Sequence, residues 1–240
     1  MKGLIVATQF LTRLPTPRVR VSDSDFARSM RWFPAVGVIM GGIVAGGGWL
    51  GAMLDPWVGT IFALVLWVVV TGALHLDGLG DIADAAGAAH KDRERLLQVL
   101  ADPHIGSFGV VAIVLQLLAK LVLLHALLEE GAVLALVAVP FVARMGPLLW
   151  TRMLPNLHDG LASRFREAVR PVDIALWSIA LAVAAWFVPA LLATPLLLLM
   201  WQSHVRRTLG GISGDGHGAG IELVETGLLV AILIAGRLAL

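Results

Sequence analysis

The residues with the most chemistry in them lie in one short stretch, which runs from His75 through Asp77 and Asp81 to Asp84. The three aspartates stand at i, i+4 and i+7, so on a helix they project from a single face, each within about 5–6 Å of the next. Carboxylates in such a stripe repel one another, and the nearest cation along the chain is Lys91. Only Gly, Ala, Leu and Ile lie between them, which leaves room for a bulky ligand. A divalent cation resolves the repulsion. Hard oxygen ligands in a chain without cysteine suit Mg2+ or Mn2+, which keep waters and share substrate phosphates. The bland alternative is a solvated helix start whose carboxylates gain from the macrodipole. Ionisable groups beside a bilayer are expensive and usually functional, however, and this stretch adjoins an apolar segment. Mg2+ held by Asp77, Asp81 and Asp84 at a membrane edge points to phosphoryl chemistry on an amphipathic or membrane-delivered substrate.

Other groups join this set. Arg93 and Arg95 have the fork geometry to clamp a diphosphate, or they serve only as topology charges, and Asp102 follows just before Pro103. Glycines at 210, 211, 214, 216, 218 and 220 surround Asp215 and His217, and glycine lets backbone amides approach phosphates closely. The spacing matches neither a Walker loop nor a dinucleotide fingerprint. Glu222 and Glu225 follow at i and i+3, opening the last apolar segment, while Lys120 and Arg144 sit inside two others. Buried cations of this kind face a partner or a cavity. His75 and His217 each stand close to a carboxylate in the sequence and are candidate proton carriers, although lone histidines are more often structural.

The elements that must position these residues are membrane helices. Of 240 residues 58% are hydrophobic and 15% charged, with a mean hydropathy of +0.85. A soluble domain carries roughly 25% charged residues, so this chain cannot cover a globule in water. A net charge of +1 and the lack of any long basic block argue against nucleic acid. With no cysteine, disulfides and thiolate chemistry are excluded. The N-terminal segment, apolar for about eight residues before Arg13, Pro15 and Pro17, reads as a short interfacial or re-entrant piece and not a cleaved leader. Seven spans are predicted. Four are Phe33–Leu54, Trp57–Leu74, Gly106–Leu128 and Ala132–Trp150; two come from Ile174–Gln202, split near 188–190; Ile221–Leu240 is the last. Fifteen of the 18 Lys and Arg then fall on one side, so the positive-inside rule puts the N-terminus and the long loops in the cytoplasm and the C-terminus opposite. The predicted fold is all-α, a polytopic integral membrane protein in which residues 1–240 make a single membrane-embedded catalytic domain.

Several stretches together resemble the cobalamin synthase (adenosylcobinamide-GDP ribazoletransferase) family. They are FLTRLPTP at 10–17, Arg28 and then FPAVG at 33–37, TGALHLDGLGDIADAAG at 71–87, DPHIGSFG at 102–109, Lys120, Arg144, and RRTLGGISGDGHGAGIELVE at 206–225. The resemblance spans nearly the whole chain in order, with Pro103-His104 as a departure from the family pattern. It implies a reaction in which a ribose hydroxyl of alpha-ribazole, or of its 5'-phosphate, attacks the corrinoid-side phosphorus of adenosylcobinamide-GDP and GMP leaves. It implies Mg2+ as cofactor, a bacterial cytoplasmic (inner) membrane location, and either a homo-oligomer or association with other cobalamin-assembly enzymes. Asp77, Asp81 and His75 take the catalytic roles, Asp77 foremost. Arg13, Arg28, Arg95, Asp102, Lys120, Arg144, Arg207, Asp215, His217, Glu222 and Glu225 take substrate contacts. The rival readings are a CDP-alcohol-type lipid phosphotransferase, whose Ala-Arg signature does not follow Asp77-Gly78, and an ion-coupled transporter using the charges inside the spans.

Overall fold

The structure is a computed structural model that describes residues 2–88, 93–100, 102–157 and 161–238. Among the described residues it holds thirteen α-helices and no β-strand. They are α1 (Lys2–Leu11), α2 (Asp23–Ser29), α3 (Phe33–Ala52), α4 (Pro56–Thr71), α5 (Leu74–Ala88), α6 (Arg93–Leu100) and α7 (Ser107–Glu129). The second half adds α8 (Val133–Ala143), α9 (Gly146–Met153), α10 (Leu161–Ala168), α11 (Pro171–Phe187), α12 (Thr194–Thr208) and α13 (Gly214–Leu238). The all-α fold expected from composition is the one found.

Local chemistry explains where the helices start and stop. Asp55 caps α4 by accepting from the Trp57 amide at 2.8 Å, with Pro56 in the first turn where its missing N–H costs nothing. Gly72 ends α4 in the left-handed region at φ 59°, which glycine adopts without a Cβ penalty. Ala73 repeats that conformation, also at φ 59°, and α5 leaves at 82° to α4. The predicted span Trp57–Leu74 thus stops at this bend, and the acidic stretch starts a new helix beyond it. A 3₁₀ turn at Pro189–Ala193 divides the apolar run 174–202, where Pro189 and the later Pro195 interrupt it, so the predicted split is observed.

The seven-span count is not confirmed. Among the described residues four segments are long and apolar enough to cross a membrane: 23–52, 107–129, 133–153 and 214–238, with a fifth if the bent pair α4–α5 counts as one. The two halves of 174–202 have 17 and 15 residues, shorter than the roughly 20 needed for a hydrocarbon core. The last span starts at Gly214, seven residues before the predicted Ile221, because the glycine-rich segment is helical from Gly214 onward. Lys91, one of the loop cations, and the last two residues, which the predicted final span included, lie outside the described residues.

Apolar side chains are exposed in bands that suit lipid: Phe62, Val65 and Val69 on α4, Val111, Leu115 and Val122 on α7, Ile179, Val183 and Trp186 on α11. The buried ones form one cluster around α3, α8 and α13. Against that cluster α5 packs between α13 and α7, carrying its aspartates to the end of the bundle where α7 and α13 begin.

Candidate active site

Chain backbones approach closely at this end because glycines face each other there. A Cβ on Gly78 of α5 would lie 2.9 Å from the Asp215 Cα, and one on Gly218 of α13 would lie 3.3 Å from the His75 Cα. The glycine-rich segment therefore acts as a packing surface between α5 and α13, which brings Asp215 and His217 beside His75 and Asp77.

The three aspartates divide. Asp77 is exposed and Asp81 half-buried, and the charges acting on Asp81 are the carboxylates of Asp215, Asp77 and Asp84. Asp84 is buried and accepts from two amides at the start of α7, Gly106 N at 2.6 Å and Gly109 N at 2.9 Å. Any side chain on Gly106 or Gly109 would run into this carboxylate. Asp84 thus caps α7, whose first turn offers free N–H groups and a positive dipole end, in place of the metal-ligand role expected for it. Among the described residues no three His, Asp or Glu side chains stand together as a ready metal cage. Asp77, Asp81 and Asp215 remain as hard oxygen donors, a set that suits Mg2+ completed by substrate phosphates.

Beside these carboxylates opens a cavity of about 190 Å³. Leu11, Met30, Phe33, Ile212 and Ile221 form its apolar wall, and His75, Asp77, Thr151, Asn156, Asp215 and His217 its polar part. His75 is 2% exposed, and its Nδ1 lies 3.3 Å from Arg144 Nη2. A guanidinium nitrogen only donates, so Nδ1 accepts and the ring proton sits on Nε2. Nε2 is itself buried without a partner. His75 therefore offers a hydrogen-bond donor, which corrects the general-base role expected for it: taking up a second proton would set a cation against Arg144. His217 Nε2 lies 3.2 Å from Thr151 Oγ1, and its Nδ1 is buried and unpartnered, as is Asn156 Oδ1. Thr151 and Asn156 carried no sequence signal, since neither belongs to a spacing pattern.

The charges inside the bundle are occupied with each other. Lys120 Nζ lies 2.7 Å from Glu222 Oε2 and 2.6 Å from Glu225 Oε2, and 4.4 Å over the Trp67 ring. Arg144 Nη1 donates to Glu225 Oε1 at 2.7 Å and to Pro140 O at 2.9 Å. Gln116 donates to Glu222 Oε2 at 2.8 Å and to Thr226 Oγ1 at 2.8 Å. None of Lys120, Arg144, Glu222 and Glu225 lines the cavity. Their expected substrate contacts give way to a closed, neutral, buried network, which also removes the basis for reading them as a transport path. Gln116 was missed in the sequence, although a glutamine one turn before Lys120 in an apolar run is a readable signal.

The remaining predicted contacts are scattered. Arg13 lies over Gly72, and its amide donates to Val70 O at 2.8 Å. Arg28 is exposed on α2, and Arg95 is exposed on α6 with Gln98 at 3.3 Å. Arg207 lines a separate groove on α12 with Met200 and His204. Asp102 is exposed and pairs with His104 at 2.7 Å, whose hydrogen bond holds the Asp102 carboxyl below the usual carboxylate range.

A family profile described as Cobalamin-5-phosphate synthase matches residues 3–233. A protein of Novosphingobium aromaticivorans named adenosylcobinamide-GDP ribazoletransferase is 67% identical, over 98% of each chain. Proteins of the same name are 51% identical in Laribacter hongkongensis, over all of both chains, and 45% in Thiobacillus denitrificans, over 98% of this chain and 95% of that one. No solved structure matches.

Proposed function

The chain belongs to the cobalamin-5-phosphate synthase family, and from that premise we propose that it joins adenosylcobinamide-GDP to alpha-ribazole, or to its 5'-phosphate, with release of GMP. One observation carries the reading beyond the family name: Asp77 and Asp215 line an apolar cavity, with Asp81 one turn further along α5. Such an arrangement suits a reaction that brings a hydroxyl to a diphosphate at a membrane edge.

In this reading a ribose hydroxyl oxygen forms a bond to the corrinoid-side phosphorus, and the bond from that phosphorus to GMP breaks with its electron pair leaving on GMP. The hydroxyl proton passes to a carboxylate, for which Asp77 is best exposed. Asp77, Asp81 and Asp215 are the residues that would hold Mg2+. Mg2+ bound there supplies neutralisation of the charge on the diphosphate. His75 holds a substrate acceptor atom through its Nε2–H. The same reading has the cavity open to the cytoplasm at the bacterial inner membrane.

The test is direct. Protein in detergent micelles, given adenosylcobinamide-GDP, alpha-ribazole and Mg2+, releases GMP; absence of GMP with both substrates present rejects the reaction. Release that continues undiminished after chelation with EDTA rejects the Mg2+ assignment alone.

A further inference from the structure

The cavity wall has a polarity that selects among the three ring systems this reaction would bring together. The corrin macrocycle is several times larger than a space of about 190 Å³. Guanine is small enough, but its edge carries an amide N–H, an amino group and several acceptors. Turned against Leu11, Met30, Phe33, Ile212 and Ile221, any of these would be buried without a partner, at a cost that a purely apolar ring edge avoids. The dimethylbenzimidazole ring of ribazole is flat and apolar, with two methyl groups and a single free ring nitrogen that only accepts.

The protein presents the matching group. His75 is fixed by Arg144 on its Nδ1 side, so its Nε2 carries the proton, and that N–H is buried beside the cavity with no partner in the protein. A buried donor left alone is costly unless a ligand completes it. Asn156 and His217 line the same cavity, and each holds a buried acceptor without a partner, Asn156 Oδ1 and His217 Nδ1, that a ribose hydroxyl can satisfy. Asp77 and Asp215 border the cavity, so a ribose extending from a ring seated there reaches the carboxylates.

Resting on the ribazole-joining function, we infer that this cavity receives the benzimidazole ring of ribazole, with His75 donating its Nε2–H to the free ring nitrogen. His75 is then a specificity-determining residue for the acceptor nucleoside.

The His75→Ala variant also strips Arg144 of a neighbour and can fail to fold, so the decisive experiment uses the unaltered protein. Binding of alpha-ribazole alone to the protein in lipid nanodiscs, read from the fluorescence of the benzimidazole, needs no turnover and stands apart from the GMP-release assay. An indole riboside, in which C–H replaces the free nitrogen, is expected to bind at least about tenfold more weakly, the loss of one good hydrogen bond. Guanosine is expected not to displace bound ribazole. Equal affinity for the indole riboside overturns the His75 contact, and displacement by guanosine overturns the choice of ring. If GMP release fails while ribazole binds with this discrimination, the subsite stands and the reaction does not.

Discussion

Two groups of charged side chains meet on α13 and follow opposite rules. Inside the bundle, Lys120, Arg144, Glu222 and Glu225 are buried and balance to zero, every one within 2.7 Å of an opposite charge. At the bundle end Asp77, Asp81 and Asp215 gather, and the charges that act on Asp81 are all negative. A low-dielectric interior tolerates ions only when they are paired and hydrogen-bonded, whereas a helix end open to water tolerates like charges until a ligand arrives. The first group holds α7, α8 and α13 in register, and the second is where chemistry has room to occur. Asp84 belongs by sequence to the second and by behaviour to neither, since the amides of α7 satisfy it.

Breaking the balance of the interior group should have the largest effect. Lys120→Met leaves Glu222 and Glu225 with one cation between them and is expected to cost about 3–5 kcal/mol, seen as loss of folded protein in micelles. Adding Glu222→Gln restores neutrality and should recover much of the loss by the same thermal assay; a double variant no better than the single one would show that charge balance is not what holds the bundle. At the other group, Asp77→Asn is expected to lower GMP release by at least about 10²-fold while the melting temperature stays the same or rises, because a repulsion is removed. Activity near that of the unaltered protein would detach the acidic cluster from the chemistry.

Asp84→Asn sharpens the distinction between them. Asparagine keeps one acceptor but turns an NH2 group toward an amide, so the variant should lose about 1.5–3 kcal/mol of stability. Its residual GMP release per folded molecule should exceed that of Asp77→Asn. The reverse order would return Asp84 to the metal site. The smallest effect is expected for His104→Ala. Its hydrogen bond lowers the Asp102 pKa, so any contribution is present at neutral pH and lost as pH falls through the lowered value. Both groups are exposed, and the melting curves of the two proteins at neutral pH should coincide.

Much of this was legible in the residues. Composition specified helices in lipid, Asp55-Pro56 and the Pro189 region marked breaks that are observed, and the acidic stretch pointed to the end of the bundle where the cavity lies. Span length was read less well. Val133–Ala143 and Gly146–Met153 are interrupted at Arg144, and the glycine-rich segment is helical from Gly214 onward, where its glycines let α13 lie against α5. Sharing a helix face did not make Asp77, Asp81 and Asp84 equivalent either: a stripe defines direction, and the neighbours supplied by α7 and α13 define role.

By itself, then, the order of residues determined the solvent, the helical class and which side chains were too costly to be idle, since these follow from local hydrophobicity and spacing. Which charge meets which was decided only when distant segments packed. Lys120 and Glu225 are 105 positions apart, and Arg144 and His75 are 69 apart. An ion's role depends on the partners and dielectric around it, and those exist only in the folded protein.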